Sequence, residues 1–443
     1  MIARHSPSLS GSPMLEKLFK LSELGTNTRQ EVIAGITTFL TMAYIIFVNP
    51  SVLAKTGMDH GAIFVATCLA AAFGCFVMGF LANYPIALAP GMGLNAFFTY
   101  TVVLHDHYSW ETALGAVFFS GCIFVLLSLF KIREWIINSI PGALKVGIAA
   151  GIGLFLAMIG LTNAGVVVDN PATLVSLGDL SKPSVLLAIL GFFLIVALET
   201  RRVKGGVLIA ILLITVLGVV AGLTEYHGLV SAPPSLAPTF AKMDLAGAFS
   251  LSMLSVIFAF LFVDLFDTSG TLLAVAQKAD LLDKKGNLPR LSKALLADST
   301  ATIVGATLGT STTTSYVEST AGVAAGGRSG LTAVTVGVLF LAALFFAPLA
   351  GMVPAFATAG ALVYVAVLML TSLRHLDWND LTETVPAAVV LIMMPLTYSI
   401  ATGIALGFIS YALVKALAGR FKEVSPAVWV LAMLFFLKFA FAG

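Results

Sequence analysis

Residues 309–327 read GTSTTTSYVESTAGVAAGG, and this stretch interrupts a chain that otherwise consists of long apolar runs. Glycine and β-branched hydroxyl residues disfavour a helix here. A second interrupted run, NYPIALAPGMGLNAFFTY at residues 83–100, contains Pro85, Pro90 and Gly91. Non-helical backbone at membrane depth survives only where protein or a water-filled cavity satisfies its N–H and C=O groups. The two broken runs therefore indicate a binding site inside a membrane protein.

The composition is that of a membrane protein. Of the 443 residues, 59% are apolar and 10% are charged, against about 25% charged in an ordinary soluble domain. The formal net charge is +2, and the basic residues lie in short clusters between apolar runs, so nucleic-acid binding is not indicated. A water-soluble protein of this size is excluded.

The number of apolar runs predicts the architecture, because a helix needs about 20 apolar residues to cross a bilayer. Seven candidate spans precede and seven follow the only long mid-chain loop, residues 225–244. They are residues 31–50, 60–82, 86–104, 112–130, 141–163, 183–199, 204–223, 250–276, 293–309, 315–326, 329–350, 354–373, 384–399 and 401–417. A further apolar segment, residues 425–442, crosses, re-enters or lies along the membrane. The predicted fold is an all-α integral membrane protein with 14 spans.

The loops predict the orientation of these spans. With fourteen spans, the Lys and Arg residues of the short loops fall on one side, which we expect to be cytoplasmic, together with the N-terminal segment 1–30. An odd number of spans in each half turns the two halves upside down relative to each other. Residues 114–130 resemble residues 331–346, as expected for inverted repeats, and the broken runs occupy corresponding places in the two halves.

Four acidic residues lie inside the apolar spans: Asp264, Asp267, Asp298 and Glu318. Each costs about 2.5–3.5 kcal/mol to insert, so each requires a structural or a functional reason. No intramembrane Lys or Arg is available in the sequence to pair with them, and a buried carboxyl group without a cation can donate hydrogen bonds and carry a proton. Glu318 is the strongest functional candidate because it lies inside a broken run.

The other motifs in the sequence are weaker indications of function. A G-x-S-G sequence at residues 327–330 is typical of rhomboid proteases, but the only later histidine, His375, lies in a polar loop, so an intramembrane hydrolase is not favoured. No metal site or nucleotide-binding motif is indicated, so we expect no cofactor and no metal, and an ion gradient as the energy source. Residues 28–31 fit a capping box at the start of the first span.

Four strings carry a family resemblance: GITTFLTMAYIIFVNPSVL (35–53), APGMGLNAFF (89–98), LFDTSGTL (265–272) and SYVESTAGVAAGGRSGLTAV (315–334). In this order they resemble the AzgA-like purine permeases of the nucleobase:cation symporter-2 family, and the bacterial adenine permeases most of all. The resemblance covers residues 15–441. It implies the uracil-permease fold, with two inverted seven-span repeats and short antiparallel strands in broken spans 3 and 10.

The resemblance also implies two domains. Residues 31–130 and 250–350 would form a core domain that holds the substrate. Residues 141–223 and 354–417 would form a gate domain that moves against it. Residues 425–442 form an extra C-terminal apolar segment outside this plan.

The resemblance further implies the site residues. It assigns substrate binding to Asp267, Glu318, Asn95, Phe97, Val317 and Thr38. Proton coupling is assigned to Glu318, Asp267 and Asp298. Thr37 and Thr38 stand where the uracil and xanthine relatives have Gln-His, and Asp267 stands where they have Glu, which argues against pyrimidine and xanthine recognition.

The expected function is proton-coupled import of a purine nucleobase, adenine first, across a bacterial inner membrane by alternating access. Two alternatives stay open: a guanine/hypoxanthine permease of the same family, and an anion exchanger of the sulfate-transporter type, which shares the fold. The expected partners are the purine, a proton and the lipid bilayer. No nucleic acid is expected, and a homodimer is one candidate assembly.

Overall fold

A computed structural model describes residues 13–129, 140–282 and 288–441. Within these ranges the chain is mostly helical, with four short strands. The helices are α1 Pro13–Phe19, α2 Thr28–Met42, α3 Ile45–Leu53, α4 His60–Val77, α5 Met92–Ala96, α6 Trp110–Leu129, α7 Gly142–Asn163, α8 Pro183–Thr200, α9 Gly206–Val220, α10 Leu245–Ala248, α11 Leu251–Lys278, α12 Leu291–Leu308, α13 Ser319–Ala324, α14 Gly330–Ala343, α15 Ala347–Met352, α16 Ala355–Leu370, α17 Leu381–Leu396, α18 Ile400–Leu417 and α19 Pro426–Phe441. The strands are β1 Leu88–Pro90, β2 Val167–Asn170, β3 Leu174–Leu177 and β4 Thr313–Ser315.

The helices reproduce the predicted spans. In the described ranges, nine helical segments are long and apolar enough to cross a membrane. Together with α9, α12, α17 and the two broken segments that contain β1 and β4, they account for the fourteen predicted spans. The predicted all-α, multi-pass membrane fold is confirmed.

Both broken runs contain a short buried strand followed by a short helix. β1 pairs antiparallel with β4, with Leu88 opposite Ser315 and Pro90 opposite Thr313. α5 follows β1 and is continued by a π-helical segment, Phe97–His105, while α13 follows β4. The pairing satisfies backbone groups that a broken helix would otherwise leave unpaired in hydrocarbon.

Two groups of helices pack mainly among themselves. One group contains α2, α4, α6, α12 and α14 around the β1–β4 pair, and the other contains α7, α8, α9, α16, α17 and α18. α11 lies between them, because it contacts α6 and β4 on one side and α18 on the other. The strand pair therefore lies inside the first group and close to its boundary with the second.

Loop contacts define the face of the bundle on which α2 begins, which we call the N-terminal face. The side chain of Asn83, which follows the second span, donates a 2.9 Å hydrogen bond to the Phe19 carbonyl. Lys204, between α8 and α9, donates a 3.3 Å bond to the Thr37 hydroxyl in the first half of the first span. These loops come after an even number of spans, as the predicted topology requires.

Loops that follow an odd number of spans meet at the other end of the bundle, which we call the opposite face. Lys55, after the first span, donates a hydrogen bond to Asn163 at the end of α7 at 2.5 Å. The Thr101 hydroxyl, near the end of the third span, donates a 2.7 Å bond to the Tyr398 carbonyl between α17 and α18. The two faces thus support the predicted alternation of the spans.

The capping box predicted at residues 28–31 is wrong. Asn27 caps α2, and its side chain accepts a 3.0 Å hydrogen bond from the backbone N–H three residues later. Glu31 is fully buried and accepts hydrogen bonds from the backbone N–H groups of Arg328 at 2.8 Å and Ser329 at 3.1 Å. Glu31 therefore satisfies the N-terminal end of α14 and not that of its own helix, because carboxylates are favoured at helix N-termini. Ser329 caps the same helix, which explains the G-x-S-G sequence structurally.

Candidate functional site

The candidate site lies where β4 passes into α13. Tyr316 follows the strand directly, and Glu318 occupies the N-cap position of the helix. The Tyr44 hydroxyl of the first span donates a 2.7 Å hydrogen bond to a carboxyl oxygen of Glu318. Glu318 is half-buried. Its carboxyl group is therefore held by a neutral donor from another span and retains some exposure to a ligand.

A network of hydroxyl groups surrounds Asp298 on α12. Its Oδ1 atom accepts hydrogen bonds from the Thr268 hydroxyl at 2.8 Å and from the Ser315 backbone N–H at 3.1 Å. The Thr268 hydroxyl also lies 2.7 Å from that of Thr314 and 3.3 Å from Asp264 Oδ1. Asp264 and Asp298 are buried. This network fixes β4 against α11 and α12.

Asp267 lies next to this network on α11 and is half-buried. It interacts electrostatically with Asp298 and Glu318, and Asp264 is linked to Asp298 through Thr268. The fold therefore brings all four predicted acids to one place, which we call the acid cluster. No Lys or Arg in the described residues forms an ion pair with Asp267 or Glu318. Repulsion among carboxylates in a poorly solvated site is relieved by a bound proton or by hydrogen-bond donors of a ligand.

The two broken spans are joined by side chains as well as by strand pairing. The Tyr316 hydroxyl donates a 2.5 Å hydrogen bond to the Pro90 carbonyl, and its backbone N–H donates a 2.9 Å bond to the Ala87 carbonyl. The Ser319 hydroxyl accepts a 3.0 Å bond from the Ala87 N–H. Spans 3 and 10 therefore form one rigid unit beside Glu318.

Asn95 is fully buried on α5. Neither its amide oxygen nor its amide nitrogen has a hydrogen-bond partner in the part of the chain that the structure describes. Asn95 lies one helical turn after Gly91. A Cβ added at Gly91 would contact Thr314 of β4. An unpaired buried amide costs about 1–3 kcal/mol, so this side chain is available as a donor and acceptor for a ligand.

The remaining predicted residues occupy different surroundings. Phe97 is buried and packs edge to face against Phe260 at a centroid distance of 4.9 Å. Thr38 is buried on α2. Its hydroxyl lies so close to Gly322 of α13 that a Cβ added at Gly322 would meet it. Val317, next to Glu318, is 44% exposed. The structure does not bring Thr38 and Phe97 into the acid cluster, and their roles stay predictions.

Three residues of the site were not predicted from the sequence: Tyr44, Thr268 and Tyr316. Each is a hydroxyl-bearing residue inside an apolar run, within strings that already carry the family resemblance. A buried hydroxyl group usually has a hydrogen-bond partner, which is the signal that could have pointed to them. In the residues that the structure covers, no group of three or more His, Cys, Asp or Glu side chains could hold a metal ion.

Comparison with known sequences assigns the chain to a family. The sequence pattern of the Permease family matches residues 29–406. The chain belongs to this family of permeases, the nucleobase:cation symporter-2 family. The predicted family is confirmed, and its members are membrane transporters, not enzymes.

Two relatives illustrate the range of this permease family. The chain is 53% identical over 441 residues to the adenine permease AdeP of Escherichia coli strain K12. The alignment covers 100% of this chain and 99% of that protein. It is 51% identical over 439 residues to the guanine/hypoxanthine permease PbuG of Bacillus subtilis strain 168, across 96% of this chain and 100% of that protein.

A solved structure shows the same fold at low identity. The transmembrane domain of the cyanobacterium bicarbonate transporter BicA superposes with a TM-score of 0.63 at 15% identity, over 86% of this chain and 97% of that chain. The permease therefore has the inverted-repeat transporter fold that the sequence resemblance implied.

Proposed function

We propose that this permease is a proton-coupled importer of purine nucleobases with adenine as its first substrate. The observation that carries the proposal is the gathering of Asp267 and Glu318 at the broken spans, where no Lys or Arg of the described chain forms an ion pair with either. A purine is planar, mostly neutral near pH 7, and bordered by ring acceptors and N–H donors. Carboxyl groups and strand backbone supply the complementary pattern.

Each predicted residue receives a role in this proposal. Asp267 and Glu318 bind the edge of the base, and the unpaired amide of Asn95 supplies a further donor and acceptor. The ring of Phe97, which packs against Phe260, closes the purine site on the side of the opposite face, and the side chains of Val317 and Thr38 shape the pocket. Glu318 and Asp267 exchange the coupled proton. Asp298 supports them, because its carboxyl group joins α11, α12 and β4.

Alternating access follows from the two helix groups. In the proposal, residues 31–130 and 250–350 form the core domain, and residues 141–223 and 354–417 form the gate domain that moves against it. The separate packing of the two groups supports a rigid-body motion. The N-terminal face is cytoplasmic in the inner membrane, because the short loops on this side carry the excess of Lys and Arg.

A guanine/hypoxanthine permease is the second candidate, because PbuG is almost as similar to this chain as AdeP is. An anion exchanger has less support. The likeness to BicA concerns the fold alone, and an anion site needs positive potential, whereas the site in this structure gathers Asp267, Asp298 and Glu318.

Uptake of labelled adenine by cells that express this permease, and that lack their own purine uptake, tests the proposal. Unlabelled adenine is expected to compete most strongly, hypoxanthine and guanine less, and uracil and sulfate not at all. An uncoupler is expected to abolish accumulation. Stronger competition by guanine and hypoxanthine would favour the second candidate. Competition by sulfate, or full accumulation in the presence of the uncoupler, would overturn the proposal.

A further inference from the structure

The last helix, α19, runs antiparallel to α18 along its whole length. Just before its start, Glu423 forms a 2.9 Å ion pair with Lys415 near the end of α18. Past its middle, Phe435 packs against Phe408 of α18 at a centroid distance of 5.9 Å. Lys438 then lines a cavity together with residues from the start of α18. α19 therefore extends from the N-terminal face to the opposite face of the bundle.

The cavity that Lys438 lines opens on the opposite face. Its volume is about 450 Å³, which is ample for a purine. Its wall combines the third span, α11, the link between α17 and α18, and α19. Its lining includes Phe97, His105, Asp106, Ser255, Thr402 and Lys438.

The lining of this cavity favours a neutral, planar and polar ligand. Lys438 supplies a cationic donor and Asp106 an anionic acceptor, so the cavity carries both signs of charge. Ser255 and Thr402 add hydroxyl groups that donate or accept, and Phe97 supplies an aromatic ring. A neutral heteroaromatic base with donors and acceptors on its edge matches this set, whereas an inorganic anion or cation would meet one charge of its own sign.

The cavity lies between the acid cluster and the opposite face of the bundle. Phe97, which lines it, packs against Phe260 of α11. Phe260 precedes Asp267 by seven residues on the same helix, which is roughly 10 Å along the axis. The aromatic pair Phe97–Phe260 therefore separates the cavity from the acids, about two helical turns away.

We propose that this cavity is an outer vestibule that holds a neutral purine before it passes the Phe97–Phe260 pair, and that α19 supplies Lys438 to it. The vestibule rests on the proposed function, since it gives the same substrate a second, more superficial binding site. It also gives the C-terminal helix a part in transport.

The crossing of α19 is tested without any substrate. Ala440→Cys at the end of α19 is expected to react in intact cells with a membrane-impermeant maleimide, whereas Lys422→Cys before α19 is expected to react only after permeabilisation. The unsubstituted chain, with its own Cys68, Cys75 and Cys122, sets the background. Labelling of Ala440→Cys only after permeabilisation would put Lys438 on the wrong side and overturn the vestibule.

Uptake kinetics test the role of Lys438. Lys438→Met is expected to raise KM for adenine about 3- to 10-fold with little change in maximal rate, because a charged hydrogen bond in a binding site is lost. Lys438→Arg should retain most of the affinity, and Lys182→Met, in a different loop on the same face, should leave both constants unchanged. Rates are normalised to the amount of protein in the membrane.

The two proposals fail in different ways. An unchanged KM in Lys438→Met, with normal uptake by the unsubstituted chain, would overturn the vestibule and leave purine import intact. Absence of purine uptake by the unsubstituted chain would overturn the proposed function itself, whatever the labelling of Ala440→Cys shows.

Discussion

Tyr44 and Glu318 are 274 positions apart in the chain, and a 2.7 Å hydrogen bond joins them. The bond connects the first span to the point where span 10 breaks. It holds the Glu318 carboxyl group with a neutral donor, so the group stays free to exchange a proton. In the proposed function, this contact orients Glu318 toward the purine.

Tyr44→Phe removes this donor and leaves the ring. We expect KM for adenine to rise by about 5- to 30-fold, because a hydrogen bond to a carboxylate contributes about 1–2 kcal/mol, and we expect the pH profile of uptake to shift. The control is Tyr226→Phe, since Tyr226 is 63% exposed in a loop. An unchanged KM and an unchanged pH profile would show that Tyr44 does not orient Glu318.

Thr268→Val tests the network around Asp298. The hydroxyl of Thr268 reaches Asp298, Asp264 and Thr314, so its loss leaves buried polar atoms with fewer partners and should destabilise the fold by about 1–3 kcal/mol. Thermal unfolding in detergent measures the change as a lower Tm.

The matched control for this substitution is Thr300→Val on α12, whose hydroxyl donates a 2.7 Å hydrogen bond to the carbonyl of Leu296 in its own helix. We expect it to change Tm much less. Equal effects of Thr268→Val and Thr300→Val on Tm would contradict the idea that the Asp298 network holds β4.

Gly322→Ala tests the close packing of α13 on α2. A Cβ at this position would meet the Thr38 hydroxyl and the Ala34 carbonyl, so we expect a loss of about 1–3 kcal/mol from overpacking. Gly351→Ala is the control, because nothing lies within 4 Å of the added Cβ there. Comparison of the two Tm values decides the point, and equal Tm values would disprove the close contact.

The sequence predicts the broken spans because glycine, proline and hydroxyl residues are conspicuous in apolar runs. It predicts Asp264, Asp267, Asp298 and Glu318 as a set because charges inside a span are rare. It does not predict that Thr268 connects Asp298 to β4, since a threonine in a membrane helix often bonds its own backbone. That contact depends on how α11, α12 and β4 pack together.

The path of α19 could not be predicted for a related reason. Residues 425–442 form an apolar run that is short for a span, so length alone does not separate a crossing helix from one that lies along the membrane. The tertiary contacts Phe435–Phe408 and Glu423–Lys415 align α19 with α18, as a crossing helix requires. Likewise, Glu31 matches a capping box locally, and only the approach of α14 explains its real partners.

A cluster of ion pairs on the N-terminal face carries a pH dependence. Arg420 pairs with Asp380 at 2.7 Å and with Glu423 at 2.7 Å. Hydrogen bonds from Thr382 and then Arg420 lower the pKa of Asp380 from 3.8 to about 2. Hydrogen bonds from Arg420 and then Lys415 lower the pKa of Glu423 from 4.5 to about 2. Both groups therefore stabilise the fold above their ordinary pKa values and lose this contribution as the pH falls toward 2.

Arg420→Met should accordingly lower Tm at neutral pH. The difference in Tm from the unsubstituted chain should stay constant from about pH 8 to about pH 5 and shrink below about pH 4. Arg201→Met, which removes a positive charge from another exposed position on the same face, serves as the control. A difference in Tm that persists unchanged near pH 2 would show that the ion pairs do not produce the effect.

In the proposed function, Glu318 and Asp267 form one site for a purine and a proton. The most direct test of this arrangement uses purified protein in liposomes with an acidic exterior, in which labelled adenine and internal pH are followed together. The unsubstituted protein should concentrate adenine while protons enter, and Glu318→Gln should exchange adenine across the membrane without concentrating it. Concentration of adenine to the unsubstituted level by both Glu318→Gln and Asp267→Asn would contradict the account.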